Sequence, residues 1–365
     1  MRLARGLFNS RLHTSASRCR QRRVILFQNR LADNACVVRR ENRRDFCCNA
    51  AALRQGCTLR RAKVARGTVK RRCGAQDMTE LSDSAKGGFV TIFDDTYNQP
   101  DCRAYFRMMD ALGYRNQHHA VAAFRAGLAE LMRLRGLTSA RIVDFASSYG
   151  IVSALMGHDL TLAQVFDRYR APGFDGLDAP EVIRQDRAWF DSIRRAAPPM
   201  RFVGIDVAPN AVAYGTAAGL FDTGFVEDLQ ENAASPALAA ELAECDMIVE
   251  CGSVAQLMPD ALDRLLAAAG PRKPWVMTSP IRGNERPEAA EVLRAHGLVV
   301  ERLPIPPFIH RRFESADEQA RAIANARAQG HDTEGVETTG HFHAQVLLAR
   351  PADELSNPAD WPRPV

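Results

Sequence analysis

The sequence lacks the signature loops of two large enzyme classes. It contains no G-x-x-x-x-G-K-[ST] segment, which would form a phosphate-binding loop, and no G-x-S-x-G segment, which would carry the nucleophile of a serine hydrolase. Lysine is also scarce, with four among 48 basic residues, so arginine supplies nearly all the positive charge. Apolar residues make up 46% of the 365-residue chain, which is ample for one large domain or two.

Residues 1–76 differ in composition from the rest of the chain. They carry 20 Lys and Arg against three acids, a net charge of +17, so the whole-chain value of +5 leaves −12 for the remainder. Six of the nine cysteines lie here, at spacings that match no zinc template: Cys19, Cys36, Cys47, Cys48, Cys57 and Cys73. The segment has no sustained apolar periodicity and no run near the ~20 residues that span a membrane. We therefore expect residues 1–77 to form a disordered basic tail.

Four origins of this tail remain open on sequence grounds. Met1 to Arg23 is rich in arginine and lacks acids, as transit peptides do. The charge alone would suit a nucleic-acid-binding arm, and the cysteines would suit a disulfide or metal module. Met78 begins a segment of ordinary composition, so a misplaced start is the fourth interpretation. Because the rest of the chain is acidic, nucleic acid is not expected as a partner.

Two short apolar runs that each end in an acid organise the remaining chain. The first runs from Arg141 to Asp144 and continues into the small residues of 146–150, and the second runs from Arg201 to Asp206. We interpret the first as a strand, a tight turn and the start of a helix. Small side chains there let a nucleotide-like ligand approach the backbone, and the free N–H groups at the helix start face it. The two runs together resemble motifs I and II of the class I S-adenosylmethionine (SAM) dependent methyltransferases.

In that family the first strand usually ends D-x-G-x-G-x-G, and the register here gives Asp144, Ala146, Ser148 and Gly150. Alanine and serine are the next smallest residues after glycine, but each added atom narrows the space for the methionine end of the cofactor. The resemblance implies SAM as cofactor. It implies that Asp144 and the backbone from Ala146 to Gly150 hold the methionine part, and that Asp206 holds the ribose. It further places Asp228 at the adenine amine and Glu250 to Ser253, including Gly252, near the methyl group; it assigns no catalytic residue.

Later elements follow the same order over about residues 100 to 350. Apolar runs that indicate strands begin at Thr223, Asp246, Trp275, Leu298 and His343, with amphipathic helices between most of them. The 50 residues between Gly150 and Arg201 exceed what one crossover helix needs, and a second polar insertion spans Glu314 to Thr339. We predict an α/β, Rossmann-like class I methyltransferase fold, with a seven-stranded, mostly parallel sheet, one antiparallel strand and helices on both faces. The helical pattern from Ala316 to Ala328 also allows a crossover instead of the antiparallel pair.

The predicted organisation has four parts: the tail 1–77, an N-terminal helical lid 78–140, a SAM-binding domain 141–352 and a C-terminal tail 353–365. The segment before the first strand often covers the cofactor in the resembled family. Its aromatic and polar residues are therefore candidates for a substrate pocket: Tyr97, Tyr105, Tyr114, Asn116, Gln117 and His118. Such a lid suits a small-molecule methyl acceptor better than a nucleic acid. We expect a cytoplasmic enzyme with no membrane partner, of undetermined oligomeric state.

Two other functions compete with methyl transfer. One is a methyltransferase-like binding scaffold without catalysis, which the replacement of two motif glycines by Ala146 and Ser148 allows. The other is an NAD(P)-dependent oxidoreductase, which would need a G-x-G-x-x-G turn with an acid about 20 residues further on, whereas Asp206 lies 56 residues after Gly150. No metal site is predicted, because His310, His331, His341 and His343 lack accompanying ligands at zinc spacing. Cys245 and Cys251 are interpreted as small buried hydrophobic residues.

Overall fold

The computed structural model describes residues 96–196, 198–252 and 259–362, all within one compact unit, Ala85–Val365. The predictions for the tail 1–77 and for the first part of the lid concern residues outside these ranges, as does the one for Ser253. No helix in the described ranges is long and apolar enough to cross a membrane.

The main sheet has seven strands in the order β3-β2-β1-β4-β5-β9-β6. All neighbours pair in parallel except β9, which is antiparallel to both β5 and β6. The strands are β1 (Ala140–Phe145), β2 (Met200–Asp206), β3 (Thr223–Val226), β4 (Met247–Glu250), β5 (Trp275–Thr278), β6 (Leu298–Arg302) and β9 (Leu347–Pro351). This order, with its single antiparallel strand, is the predicted class I methyltransferase fold, which is thereby confirmed.

Helices cover both faces of the sheet because the central strands are apolar on both sides. Ile142 and Met247 face one core cluster, whereas Val143 and Ile248 face the other. On the first face lie α1 (Arg103–Ala111), α2 (Asn116–Arg135), α3 (Ile151–Gly157), α4 (Leu162–Arg170), α5 (Ala179–Ser192) and α6 (Pro209–Ala217). On the second lie α7 (Pro236–Ala243), α8 (Pro259–Ala269) and α9 (Pro287–Ala295).

The predicted insertion between β1 and β2 is present and consists of α3, α4 and α5. A buried carboxylate joins it to the next helix. Asp186 accepts hydrogen bonds from the hydroxyls of Tyr169 (3.0 Å) and Tyr214 (2.8 Å) and from Nε of Arg168 (2.8 Å). Because Asp186, Tyr169 and Tyr214 are buried and Arg168 is only partly exposed, removing any one of them would leave buried polar atoms unpaired. This network fixes α4, α5 and α6 relative to one another.

The segment between β6 and β9 differs from the prediction. The run from His343 to Ala349, predicted as one strand, is divided: β8 (His341–Ala344) ends before Gln345, and β9 starts at Leu347. Strand β8 pairs with β7 (Phe308–Arg312) in a separate two-stranded sheet, and α10 (Ala316–Ala328) connects them. The apolar pattern continues from β8 into β9, so the sequence does not indicate that the two strands belong to different sheets. Helix α10 lies in the second predicted insertion, Glu314 to Thr339, and its Ala322 packs on Phe342. It is therefore not a crossover helix of the main sheet.

Residues 353–362, predicted as a tail, contact the amino edge of the main sheet. Glu354 forms an ion pair with Arg135 at 2.9 Å and accepts a hydrogen bond from the indole of Trp275. The rings of Trp275 and Trp361 lie 6.1 Å apart, with the guanidinium of Arg350 over both. The last described residues therefore belong to the packed structure.

Phe221 packs where three glycines leave room for its ring, namely Gly150, Gly204 and Gly215. A Cβ atom added at Gly204 would lie 2.6 Å from the ring carbons Cδ2 and Cε2 of Phe221, closer than van der Waals contact allows. Gly204 is in β2, beside the turn that follows β1. The approach of this ring therefore requires glycine in the strand.

We predict that Gly204→Ala lowers the free energy of unfolding by about 1–3 kcal/mol, the usual cost of overpacking. Urea titration would measure it. Gly176→Ala is the control, because nothing lies within 4 Å of a Cβ atom there, and it should change stability by less than about 0.5 kcal/mol. Equal stability of the two variants would contradict the packing argument.

Candidate functional site

The turn between β1 and α3 has an alternating backbone. Ala146 (φ 55°), Ser148 (φ 50°) and Gly150 (φ 79°) all adopt the left-handed conformation, which residues other than glycine seldom adopt. These are the three positions at which the resembled motif has glycine. The backbone therefore keeps the geometry of a glycine-rich loop although two of the glycines are absent, at a cost of roughly 1–2 kcal/mol for each substituted position.

Asp144, the acid of β1, is buried at the start of α3. Its Oδ2 accepts hydrogen bonds from the backbone N–H of Ser153 at 3.1 Å and from its hydroxyl at 2.7 Å. Burial raises the pKa of Asp144 to about 7, against the lowering effect of these bonds, and the nearby Asp206 adds to the rise. Asp144 thus anchors the helix that follows the turn. Ser153 was not predicted as a site residue, although it lies three residues after the turn, near the start of α3.

Asp206 lies at the carboxyl end of β2, and both its oxygens are engaged. Oδ1 accepts from the backbone N–H of Ala208 at 2.9 Å, and Oδ2 accepts from the N–H of Ser148 at 2.8 Å and from the hydroxyl of Tyr97 at 2.9 Å. Burial raises the pKa of Asp206 while these bonds lower it. The carboxylate therefore connects the turn, the start of α6 and the segment that precedes α1.

Tyr97 is one of a group of tyrosines that cover the turn. Its ring lies 5.9 Å from that of Tyr105 and 6.4 Å from that of Tyr149, and the Tyr149 hydroxyl donates to the carbonyl of Gln99 at 3.0 Å. Burial raises the pKa of the Tyr97 and Tyr105 hydroxyls, so both keep their protons at neutral pH. The segment before α1 thus packs directly over the turn, as a lid does. Tyr149, which sequence analysis did not single out, was visible inside the motif itself.

The other predicted cofactor residues follow β3 and β4. Val226 of β3 is in register with Asp206, so Asp228 lies two residues beyond the end of β3. Asp228 is half-buried, and its Oδ1 accepts a hydrogen bond from the N–H of Gln230 at 3.0 Å. Glu250 ends β4 and is buried. Gly252 has φ 146°, and nothing lies within 4 Å of the position of a Cβ atom.

The carboxyl edge of β1, β2 and β4 therefore gathers several acids. Cys251 lies near Glu250 and Asp144, and burial together with these charges raises the pKa of its thiol. The Ser279 hydroxyl contacts the Cys251 sulfur at 3.2 Å. The thiol of Cys251 is neutral but partly exposed, so the interpretation of Cys251 as a small buried hydrophobic residue holds only in part.

The other candidate pocket residues occupy different environments. Tyr105, Tyr114, Asn116 and Gln117 are buried, whereas His118 is exposed. Among the residues that the structure describes, no group of three or more His, Cys, Asp or Glu could hold a metal ion. His341 and His343 are joined by the ring Nδ1 of His343 and the carbonyl of His341, at 3.2 Å.

Comparison with known proteins finds similar solved structures at low sequence identity. No protein-family model and no curated protein matches it. Similar solved structures include a TehB-like SAM-dependent methyltransferase from Corynebacterium glutamicum, 16% identical, with 67% of this chain and 93% of that chain covered and a TM-score of 0.31. Magnesium protoporphyrin IX methyltransferase from Synechocystis is 10% identical, with 68% and 95% covered and a TM-score of 0.31. Because these scores are low, the class I methyltransferase fold rests on the strand order and on antiparallel β9.

The left-handed turn predicts an unusual response to glycine. Ala146→Gly should raise the free energy of unfolding by up to about 1 kcal/mol, since relief of the left-handed strain exceeds the entropy that glycine adds to the unfolded chain. Ala213→Gly, on the exposed side of α6, should instead lower it by about 1 kcal/mol. Chemical denaturation of both variants tests this difference. A loss at Ala146 as large as that at Ala213 would mean that the turn is unstrained.

The raised pKa of Asp144 predicts a pH effect of definite sign. The folded protein holds this proton up to about pH 7, whereas the unfolded chain releases it near pH 4. The folded state therefore binds more protons in this window, and the contribution of Asp144 to stability falls as pH rises from about 4 to 7. Asp144→Asn cannot titrate, so between pH 5 and 8 its melting temperature should fall less than that of the parent. If the melting temperatures of the parent and of Asp144→Asn changed equally with pH, the raised pKa of Asp144 would be refuted.

Proposed function

We propose that the protein is a SAM-dependent methyltransferase that acts on a small-molecule acceptor. The observation that carries this proposal is the left-handed turn at Ala146, Ser148 and Gly150 held against Asp206, at the carboxyl edge of a sheet with the class I methyltransferase strand order. Ligands of open α/β sheets bind at this edge, where neighbouring strand connections diverge. A fold alone does not determine a reaction, so the assignment depends on the residues of the turn and of the strand ends.

The residues present fit a nucleoside-bearing sulfonium, provided that one hydrogen bond of the protein is replaced by a hydrogen bond to the ligand. Asp206 and Asp228 follow adjacent strands and offer carboxylate oxygens for ribose hydroxyls and an exocyclic amine. Oδ2 of Asp206 already accepts two hydrogen bonds, one of them from Tyr97. A ribose hydroxyl at this oxygen would have to take the place of the Tyr97 hydroxyl. Tyr97 thus holds the carboxylate in position and covers it.

The remaining roles follow from position. The backbone from Ala146 to Gly150 would carry the methionine part, and Glu250 and Gly252 would border the methyl group. A bound sulfonium cofactor supplies an already activated methyl group, so the protein chiefly has to hold the acceptor in line with it and accept the acceptor's proton. Tyr97 and Tyr105 border the site from the lid side, and Tyr149 of the turn packs against Tyr97. The aromatic lid favours a small acceptor that it can enclose. Among the similar solved structures, a plantazolicin methyltransferase holds a triazolic plantazolicin analogue.

Calorimetric titration of the full chain with SAM tests the proposal. Asp206→Asn should weaken binding by roughly ten- to a hundredfold, because charge-assisted hydrogen bonds contribute about 1.5–3 kcal/mol. Asp228→Asn should cost less, since one amine is its only expected partner. Tyr97→Phe removes the competing hydroxyl and leaves the carboxylate intact, so its affinity should equal or exceed that of the parent.

Asp246→Asn is the matched control. Asp246 is also a buried carboxylate at a strand end that accepts a backbone N–H, from Arg141 at 2.8 Å, but it lies at the opposite, amino edge of the sheet. Its substitution should lower stability and leave SAM affinity unchanged. If the folded Asp206→Asn protein binds SAM as the parent does, Asp206 has only a structural role, in which it joins the turn, α6 and Tyr97. Tight binding of NAD by the parent would favour the oxidoreductase instead.

A further inference from the structure

Four buried polar side chains, two at the start of α2, one in β7 and one just after β8, leave hydrogen-bonding atoms without a partner within the described residues. Neither the amide nitrogen nor the amide oxygen of Asn116 is bonded, and neither ring nitrogen of His310 is. The side-chain oxygens of Gln117 and Gln345 are also unpartnered. Each such group lowers the stability of the folded state, and native proteins rarely keep one without a reason. We call these four residues the polar cluster.

An irregular pairing in β7 directs the side chain of His310 into the protein. Ile309 pairs with His343 and Arg311 pairs with Phe342, so the register shifts at His310. The shift is a β-bulge, and it leaves His310 and Arg311, consecutive residues of a strand, both buried. Bulges commonly redirect a side chain next to a functional site. Arg311 is bonded to Glu318 at 2.8 Å, whereas the imidazole of His310 has no such partner.

Backbone contacts place the four residues at the carboxyl edge of the sheet, and the pairing of Ala344 with Phe308 puts Gln345 beside the start of β7. The backbone N–H of Arg115 donates to the carbonyl of His310 at 2.7 Å, which joins the start of α2 to β7. The N–H of Gln345 donates to the carbonyl of Pro280 at 3.3 Å, two residues after β5 ends. Helix α2 packs over β5 at Gly127 and ends near the amino edge, where Arg135 donates to the carbonyl of Lys273. Its start therefore lies at the carboxyl edge.

The polar cluster adjoins the candidate cofactor site through two tyrosines. The ring of Tyr114 lies 5.0 Å from the imidazole of His310. The hydroxyl of Tyr105 is close enough to Tyr114, Asp206 and Cys251 for these groups to add to the burial that raises its pKa. A molecule at the cluster would thus extend towards Cys251 and the end of β4. This is the side on which an acceptor has to approach the methyl group.

The chemistry of the cluster is uncharged. Burial and the charge of Arg311 lower the pKa of His310 to about 3, so its ring is neutral at physiological pH, with one donor and one acceptor nitrogen. Asn116 offers both a donor and an acceptor, and Gln117 and Gln345 each add an acceptor oxygen. The nearby charge of Arg311 is already matched by Glu318. A charged ligand group would be desolvated here without a counter-ion, which is far more costly than burial of a neutral one.

We propose that Asn116, Gln117, His310 and Gln345 form the recognition site for an uncharged, planar polar group of the methyl acceptor, such as a carboxamide or the hydrogen-bonding edge of a lactam or azole ring. Such a group presents donors and acceptors in one plane and satisfies the unpartnered atoms. That the bound molecule is a methyl acceptor rests on the proposed function; the recognition of a neutral planar group does not.

Benzamide is a suitable probe, with benzoate and ethylbenzene as comparisons. Ligand-observed NMR and calorimetry should detect millimolar binding of benzamide to the full chain, and weaker binding of benzoate, which carries a charge and lacks donors. His310→Phe keeps the ring shape and should weaken benzamide binding by at least about fivefold. His158→Phe is the matched control, since His158 is another buried histidine with a lowered pKa, and it should leave the affinity unchanged. Absence of benzamide binding, tighter binding of benzoate or ethylbenzene, or equal binding by His310→Phe would overturn the proposal.

A stability measurement separates recognition from a structural role. Asn116→Leu replaces an unpartnered amide by an apolar side chain of similar size, so it should keep or raise the melting temperature while it weakens benzamide binding. A fall of several degrees would mean that Asn116 is bonded inside the fold and is not reserved for a ligand. SAM titration of the same variants should show affinity equal to that of the parent. If the parent itself fails to bind SAM, the proposed function fails, and the benzamide result still decides the polar cluster.

Discussion

The carboxylate of Asp206 is the constraint on which the candidate site depends. It accepts hydrogen bonds from the turn after β1, from the start of α6 and from Tyr97 in the lid, three segments that are far apart in the chain. An ion buried to this extent is tolerable only because every donor is placed for it in advance. The bond from the N–H of Ser148 also orients a residue in the left-handed conformation. The same interaction therefore compensates for the burial of the charge and for part of the strain of the turn.

Much of the fold could be predicted because several strands of the main sheet are short apolar runs that end in a polar residue. Asp206 and Glu250 both end such runs, and both end strands. The division of the last run into β8 and β9 could not be predicted, since the run from His343 to Ala349 is apolar throughout apart from its first residue and Gln345. The two strands are separated because β8 pairs with β7, whose residues lie 29 to 36 positions earlier in the chain. Local periodicity does not specify such a long-range pairing.

The candidate site was predictable in part. The motif register placed Ala146, Ser148 and Gly150 at the positions that now have positive φ, although alanine and serine have no local preference for that conformation. Their backbone is set by surroundings, including Phe221 packed against Gly150 and the bond from Ser148 to Asp206. Tyr97 was a candidate pocket residue, but its hydrogen bond joins residues 109 positions apart. The bulge at His310 depends in the same way on cross-strand register, which single-sequence patterns do not specify.

The distribution of aromatic residues divides the molecule into two optically distinct regions. All six tyrosines lie on the side of the lid and the carboxyl edge: Tyr97, Tyr105, Tyr114, Tyr149, Tyr169 and Tyr214. Trp275 and Trp361 are instead at the amino edge with the C-terminal residues, and Trp189 stacks on Arg168 within the insertion. Near-ultraviolet circular dichroism of the tyrosines therefore reports events at the turn and the lid. Tryptophan emission reports the docking of the chain end and the integrity of α5, so a single sample yields separate signals from opposite edges of one sheet.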